Sequence, residues 1–111
     1  MEDTEPIGTE MISFGIIAAA GNARSLAFEA LKAAREHDFD RADELLEQSN
    51  TAALEAHEQQ TQLLVREANG DHLPVDVMLV HAQDHLMTAM LARELITELV
   101  QIHRQLADVQ G

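Results

Sequence analysis

Two histidines and an aspartate lie within five positions of the segment "LVHAQDHLMT". His81, Asp84 and His85 are spaced i, i+3 and i+4, so a helix would place them on one face. His-x-x-x-His is a common metal-ligand spacing, with Asp84 available as a third ligand. A neutral imidazole is equally a nucleophile, and Gln83, His85 and Thr88 are donors for a phosphoryl group on the ring. The spacing leaves metal binding, covalent chemistry and an ordinary solvated face all open.

Three helical stretches and two short turns must position these residues. Ala, Leu, Glu and Gln dominate the sequence and β-branched residues are sparse, which is typical of an all-α protein. Two short connections predict an antiparallel, up-down-up three-helix bundle that forms a single domain. We expect helices at about 9–36, 39–68 and 76–107, an acidic tail over 1–8 and a second tail over 108–111.

Capping signals mark the predicted helix ends. They are Thr9 for the first helix, Asp38 or Asp40 for the second, Asp76 for the third, and Asn69-Gly70 as the end of the second. Gly15 and Gly21 lie inside the first helix, where glycine lowers helix stability relative to alanine. Close approach of a neighbouring helix would explain both glycines.

The third predicted helix has two apolar faces. One face is expected to pack on the first two helices and comprises Leu79, Val80, Leu86, Met87 and Met90. The other lies within about 80° of His81 at 100° per residue and comprises Leu91, Leu95, Leu99, Ile102 and Leu106. A second apolar stripe suggests a partner chain and therefore an intersubunit site. Asp84 carboxylates that meet on a symmetry axis would need a shared cation or a bound proton.

Charge and cysteine content exclude several functions. Seven Lys and Arg against twenty Asp and Glu give a net charge of −13, which opposes binding to nucleic acid or to an anionic membrane. The absence of cysteine excludes disulfides, thiol catalysis and thiolate metal sites within this chain. The acidic N-terminus is unlike a signal peptide, and the longest apolar run is too short to span a bilayer. These features predict a soluble cytoplasmic protein.

Four segments resemble one known family in the same order. They are "GNARSLAFEALKAA", "DFDRADELLEQS", "EAHEQQTQLL" and "VHAQDHLMTAMLARELITEL". The chain is similar over about residues 12–106 to enzyme IIA of the lactose/cellobiose/N,N′-diacetylchitobiose family of the bacterial phosphoenolpyruvate-dependent sugar phosphotransferase system. The ending "ARELITEL" is more similar to the cellobiose/chitobiose branch than to the lactose branch. The first turn carries His37 where relatives often have Gly.

The resemblance implies a phosphotransferase-system component rather than a stand-alone enzyme, assembled as a parallel trimer with a nine-helix bundle. His81 would be phosphorylated at Nε2 by HPr and would pass the phosphoryl group to a cysteine of the cognate IIB, while the IIC membrane channel moves the sugar. Gln83 and His85 would line the phosphate site. Asp84 would lie on the trimer axis with a divalent cation, expected to be Mg²⁺. His57 is expected to be a hydrogen-bonded structural residue, or else to lie behind His81.

Two other functions remain as alternatives. A free-standing metal-binding helical bundle would use His81, Asp84 and His85 as ligands. A helical adaptor module is suggested by "EALKAAREHDFDRADELLEQS", which has the alanine spacing and Asp-Phe turn of a tetratricopeptide unit. That unit does not recur in the sequence, although such repeats normally require at least three copies.

Overall fold

The computed structural model describes residues 8–110 and forms three α-helices, with no strand in that part of the chain. They are α1 (Thr9–Arg35), α2 (Phe39–Ala68) and α3 (Val77–Gln110). Short connections make the neighbouring helices antiparallel, so the all-α, up-down-up prediction is confirmed. The predicted tail over 1–8 lies almost wholly outside the described residues.

The outer ends of the helical unit differ from the prediction. Thr9 is itself the first helical residue, and Gly8 occupies the N-cap in an extended conformation without a side-chain hydrogen bond. The prediction of Thr9 as a cap is therefore wrong. At the other end, α3 continues to Gln110 instead of ending near residue 107. Since neither Gly nor Pro interrupts this segment, nothing in the sequence stops the helix earlier.

Residues of the α1–α2 turn cap the start of α2 and contact α3 at one end of the bundle. Asp38 is the N-cap of α2 and accepts a hydrogen bond from the Arg41 backbone N–H at 3.3 Å, which selects Asp38 over Asp40. His37 has a φ of 63°, a left-handed conformation that an L-residue adopts at a cost. Its ring stacks on Phe39 with centroids 5.7 Å apart. The Arg104 guanidinium lies 4.9 Å from the Phe39 centroid, which ties α3 to this turn.

The α2–α3 connection confirms both of its predicted signals. Asn69 is the C-cap of α2, and Gly70 follows with a φ of 90°, which glycine adopts without strain. Asp76 accepts a hydrogen bond from the Leu79 backbone N–H at 2.8 Å and so caps the first turn of α3. The start of α3, and hence the height of the histidines along the bundle, is fixed by this cap.

Glu67 orders the same connection from the last turn of α2. Its carboxylate accepts a hydrogen bond from the Leu73 backbone N–H at 3.0 Å and lies 2.5 Å from Nδ1 of His72. The Leu73 hydrogen bond, followed by that of His72, lowers the pKa of Glu67 below its ordinary value. Ionised Glu67 therefore holds the connection in place.

An alanine-rich interior lets the three helices approach closely. Seven alanines of α1 are fully or almost fully buried: Ala19, Ala20, Ala23, Ala27, Ala30, Ala33 and Ala34. The buried Ser49 hydroxyl of α2 donates a hydrogen bond to the Ala23 carbonyl at 2.7 Å. A Cβ on Gly15 would overlap the amide of Gln59, so the predicted close approach is present there, although it involves the flexible end of a side chain that can move. Gly21 has open space within the chain, so the same explanation is wrong for Gly21.

Among the described helices, α1 is long and apolar enough to cross a membrane by length and composition. It lies near the N-terminus, where such a helix can also resemble a signal sequence. Its buried residues, however, pack against α2 and α3 in both apolar clusters of the bundle. The apolar side chains of α1 thus have packing partners within the described part of the chain.

Candidate functional site

The two motif histidines lie on the second and third turns of α3, just after the Asp76 cap. The His81 and His85 rings form an edge contact, with centroids 4.5 Å apart and planes at 78°. His81 is exposed and His85 is half-buried. The arrangement therefore presents one accessible imidazole to an incoming reactant and places a second imidazole beside it.

Asp84 lies on the same exposed side of α3. Its carboxylate makes no hydrogen bond or ion pair within residues 8–110. The Thr88 hydroxyl donates to the Asp84 carbonyl oxygen at 2.8 Å, with a longer contact to the His85 carbonyl oxygen at 3.4 Å. Because the Thr88 hydroxyl already donates its proton to a backbone carbonyl oxygen, it can only accept a hydrogen bond from a ligand. The sequence had instead suggested that Thr88 is a donor.

Gln83 lies on the opposite side of α3 from His81, about 200° around the helix axis. Its amide forms two reciprocal hydrogen bonds with the Gln60 amide of α2, each 2.7 Å long. Both side chains are part-buried. Within one chain, the structure therefore places Gln83 at the α2–α3 contact and not beside the His81 ring.

His57 is exposed on α2, and no hydrogen bond or ring contact joins it to His81 within residues 8–110. Its carbonyl oxygen accepts a hydrogen bond from the Thr61 hydroxyl at 3.0 Å. The imidazole itself makes no hydrogen bond to residues 8–110. The interpretation of His57 as a hydrogen-bonded structural side chain is therefore wrong for this chain.

One chain does not assemble a metal site from the motif. Within residues 8–110, no group of three or more His, Asp or Glu side chains is positioned to hold a metal ion. Asp84 and His85 lie on either side of His81 and about 100° apart around the α3 axis, so their side chains diverge from each other although they share its exposed face. The free-standing metal bundle predicted as an alternative is thus not supported.

The apolar stripe of α3 that continues the motif is exposed, as predicted. Leu91, Leu95, Leu99, Ile102 and Leu106 form this stripe, which we call the seam. Each of them keeps between 40 and 57% of its surface exposed in the isolated chain. Such a continuous row of half-exposed large side chains is typical of a surface that another chain covers.

The inward face of α3 differs from the prediction. Leu86 is buried, but Val80 and Met87 are 56% and 65% exposed, so their predicted packing on α1 and α2 is wrong. The buried side instead centres on Ala82 and Ala89, about 90° from His81. The reason is that α3 packs more extensively on α1 than on α2, which turns Val80 and Met87 outward.

A second exposed apolar face lies on α1 and carries Met11, Phe14 and Phe28. An apolar groove of about 310 Å³ separates α1 from the seam and is lined by Phe28, Leu91 and Leu95, among others. The chain thus presents two different apolar surfaces, on α1 and on α3, beside the candidate site.

Comparison with known proteins identifies this architecture. Residues 11–104 match the family model described as "PTS system, Lactose/Cellobiose specific IIA subunit". The N,N′-diacetylchitobiose-specific EIIA component of Escherichia coli K12 is 50% identical over 103 residues, which span 93% of this chain and 89% of that protein.

Two solved structures share the fold. The cellobiose-specific enzyme IIA of Bacillus anthracis is 39% identical, with a TM-score of 0.88 over 96% of this chain and 97% of the other. The chitobiose IIA of E. coli, solved in complex with HPr, is 47% identical, with a TM-score of 0.79 over 92% and 99%.

The helical fold and the histidine motif thus define a component of the bacterial sugar phosphotransferase system. More particularly, the chain belongs to the lactose/cellobiose-specific IIA subunit family. Family membership also decides against the helical adaptor.

Proposed function

We propose that this protein is a phosphoryl carrier that receives phosphate from phospho-HPr on His81 and passes it to a cysteine of the cognate IIB. The observation that carries the proposal is the exposed His81 ring on a capped, well-anchored turn of α3, within the family's motif. The structure of a 47% identical chitobiose IIA with HPr supports HPr as the donor. The missing cysteine is consistent, because the thiol belongs to the acceptor.

The reaction is an in-line transfer between side chains. The Nε2 lone pair of His81 attacks phosphorus while the bond from phosphorus to the HPr imidazole breaks. The HPr ring keeps the electrons and takes up a proton, and the phosphorylated His81 ring releases its Nδ1 proton, so the step balances. The IIB thiolate then attacks the same phosphorus and releases His81. The His85 ring lies beside His81 and supplies an N–H for the equatorial phosphoryl oxygens as negative charge develops on them.

Three chains assemble in parallel as a nine-helix bundle. The exposed apolar surfaces of α1 and α3 differ, so contact between them is heterologous, and in the proposed trimer three such contacts close a ring. The seam then meets its copies near the three-fold axis, while Val80 and Met87 are covered by the α1 face of a neighbouring chain. Assembly removes from water the apolar side chains that the isolated chain leaves exposed.

A divalent cation fits Asp84 at this axis. The carboxylate is exposed, has no partner within residues 8–110, and points to the seam side of His81. Three carboxylate oxygens and several waters suit Mg²⁺, which prefers hard oxygen ligands. The ion would neutralise the repulsion between the three carboxylates and takes no part in phosphoryl transfer.

We expect Asp84→Asn trimers to contain no stoichiometric metal by elemental analysis. They should also stay assembled in the presence of a chelator, because the repulsion between the carboxylates is gone.

The sugar is a disaccharide of the cellobiose or chitobiose type. The similar proteins described above are specific for N,N′-diacetylchitobiose and for cellobiose by name. The carrier works in the cytoplasm and does not touch the sugar, which passes through the IIC channel and is phosphorylated on entry. IIA specificity therefore lies in recognition of its own IIB.

Reconstitution tests the whole relay. Enzyme I, HPr, phosphoenolpyruvate and the cognate IIB are incubated with or without this protein, and phosphate on the IIB cysteine is measured by mass spectrometry. We expect IIB phosphorylation only when the wild-type chain is present. His85→Ala should slow the transfer because a donor to the phosphoryl oxygens is lost. Equal IIB labelling without this protein would contradict the proposal.

A further inference from the structure

The Gln60–Gln83 pair joins α2 to α3 at the height of the motif. Each amide donates one hydrogen bond and accepts one, and both bonds are 2.7 Å long. A second side-chain hydrogen bond between these helices joins Arg104 to Asp43, at the opposite end of the bundle. The glutamine pair is therefore a polar contact that holds the N-terminal part of α3, which carries the motif, against α2.

This contact matters because α3 is held unevenly. The helix packs more extensively on α1 than on α2. The α2–α3 side contains an apolar cavity of about 180 Å³ beneath Leu73 and Leu79, and the glutamine pair lines it. Without the pair, close packing would not oppose rotation of α3 about its axis on this side.

Rotation of α3 would displace the reacting ring. Gln83 lies two residues after His81, so both side chains move with the same helical turn. A near-attack geometry tolerates little displacement of the nucleophile. We infer that Gln60 is a positioning residue for phosphoryl transfer: through its reciprocal hydrogen bonds to Gln83, it sets the rotation of α3 that presents His81 to the partner proteins. This inference rests on the phosphoryl-carrier function proposed above.

The inference assigns Gln83 an indirect role. Its amide is satisfied by Gln60 and lies about 200° around the helix from His81. The resemblance to the family instead implied that Gln83 lines the phosphate site. The two roles make opposite predictions when both glutamines are replaced together.

Methionine is nearly isosteric with glutamine and has no amide, so the test uses Gln60→Met, Gln83→Met and the double variant. Each single variant leaves one part-buried amide unpaired, whereas the double variant replaces the polar pair by an apolar contact. Gln101→Met, at an exposed glutamine of α3, is the matched control. The kcat and KM for phospho-HPr are measured by rapid quench, with helicity and oligomeric mass recorded for every variant.

We expect each single variant to lose about tenfold or more in kcat at nearly unchanged KM, and the double variant to regain most of the loss. Gln101→Met should match the wild type. Failure of Gln60→Met to lower kcat would overturn the inference, as would a double variant no faster than Gln83→Met, which would indicate direct contact with phosphate. Parallel losses of kcat and helicity in Gln60→Met, restored together in the double variant, would reduce the pair to a purely structural role and also overturn it. If the wild type accepted no phosphate from HPr, the proposed function itself would fail.

Discussion

Replacement of Leu95 by aspartate should convert the proposed trimer to monomers. Leu95 lies in the middle of the seam and keeps 55% of its surface exposed in the isolated chain. Full burial of a leucine contributes about 1.5 to 3 kcal/mol, so covering the exposed half contributes about 1 kcal/mol per subunit. Leu95→Asp removes this contribution three times.

The new carboxylates add repulsion to the lost burial. Near the three-fold axis they would lie roughly 4 to 8 Å apart, which costs about 2 to 4 kcal/mol per pair at an effective dielectric constant of about 20. The total penalty is then on the order of 10 kcal/mol per trimer, and each 1.4 kcal/mol changes an equilibrium tenfold. We therefore expect complete dissociation at micromolar concentration.

Sedimentation velocity and light scattering measure this outcome directly. Leu54→Asp is the matched control, because Leu54 is 58% exposed but lies on α2, away from the α1–α3 groove. It should remain trimeric, and both variants should keep their helical circular dichroism. A wild-type monomer, a trimeric Leu95→Asp variant, or equal dissociation of the Leu54→Asp control would refute the assigned interface.

Three further predictions concern the single chain. His37→Gly should raise the free energy of unfolding by about 0.5 to 1 kcal/mol, because glycine adopts the left-handed φ without a Cβ clash. Urea unfolding at a fixed protein concentration measures this change. A decrease in the free energy of unfolding would contradict the turn geometry. Gly15→Ala should change the free energy of unfolding by less than about 1 kcal/mol, because the Gln59 amide that the new Cβ would overlap is the flexible end of a side chain and can move, while alanine favours the helix; urea unfolding measures it, and a loss of more than about 2 kcal/mol would contradict this account. Because the folded-state pKa of Glu67 is lowered, its stabilisation of the α2–α3 connection is present above the unfolded-state pKa and lost as pH falls through the folded-state value. Hydrogen exchange at the Leu73 amide should therefore accelerate, after correction for intrinsic rates, as pH falls through that range, and Glu67→Gln should remove this pH dependence.

Local chemistry made much of the fold predictable. Asp38, Asp76 and Asn69-Gly70 act through hydrogen bonds or backbone conformations within a few residues, so their effect can be inferred from the sequence. Thr9 failed as a cap because residue types indicate which side chains can cap a helix, but not which backbone conformation the chain adopts there.

Tertiary packing decided the parts that periodicity missed. Helical spacing gave the two apolar faces of α3, but the direction of burial depends on the distance to each neighbouring helix. That distance turned Val80 and Met87 outward. The Gln60–Gln83 pair joins residues 23 positions apart, so no local pattern pointed to it. The 3.6-residue period did place Gln83 on the opposite side from His81, a signal that could have separated it from the site.

Site-resolved phosphorylation tests the central claim most directly. The wild-type protein and a folded His81→Ala variant are incubated with enzyme I, HPr and phosphoenolpyruvate, then analysed intact and as peptides by mass spectrometry at alkaline pH. The account predicts one phosphate per wild-type subunit, located on His81, and none on His81→Ala. Undiminished labelling of the variant, or phosphate on His85 or His57 of the wild type, would contradict it.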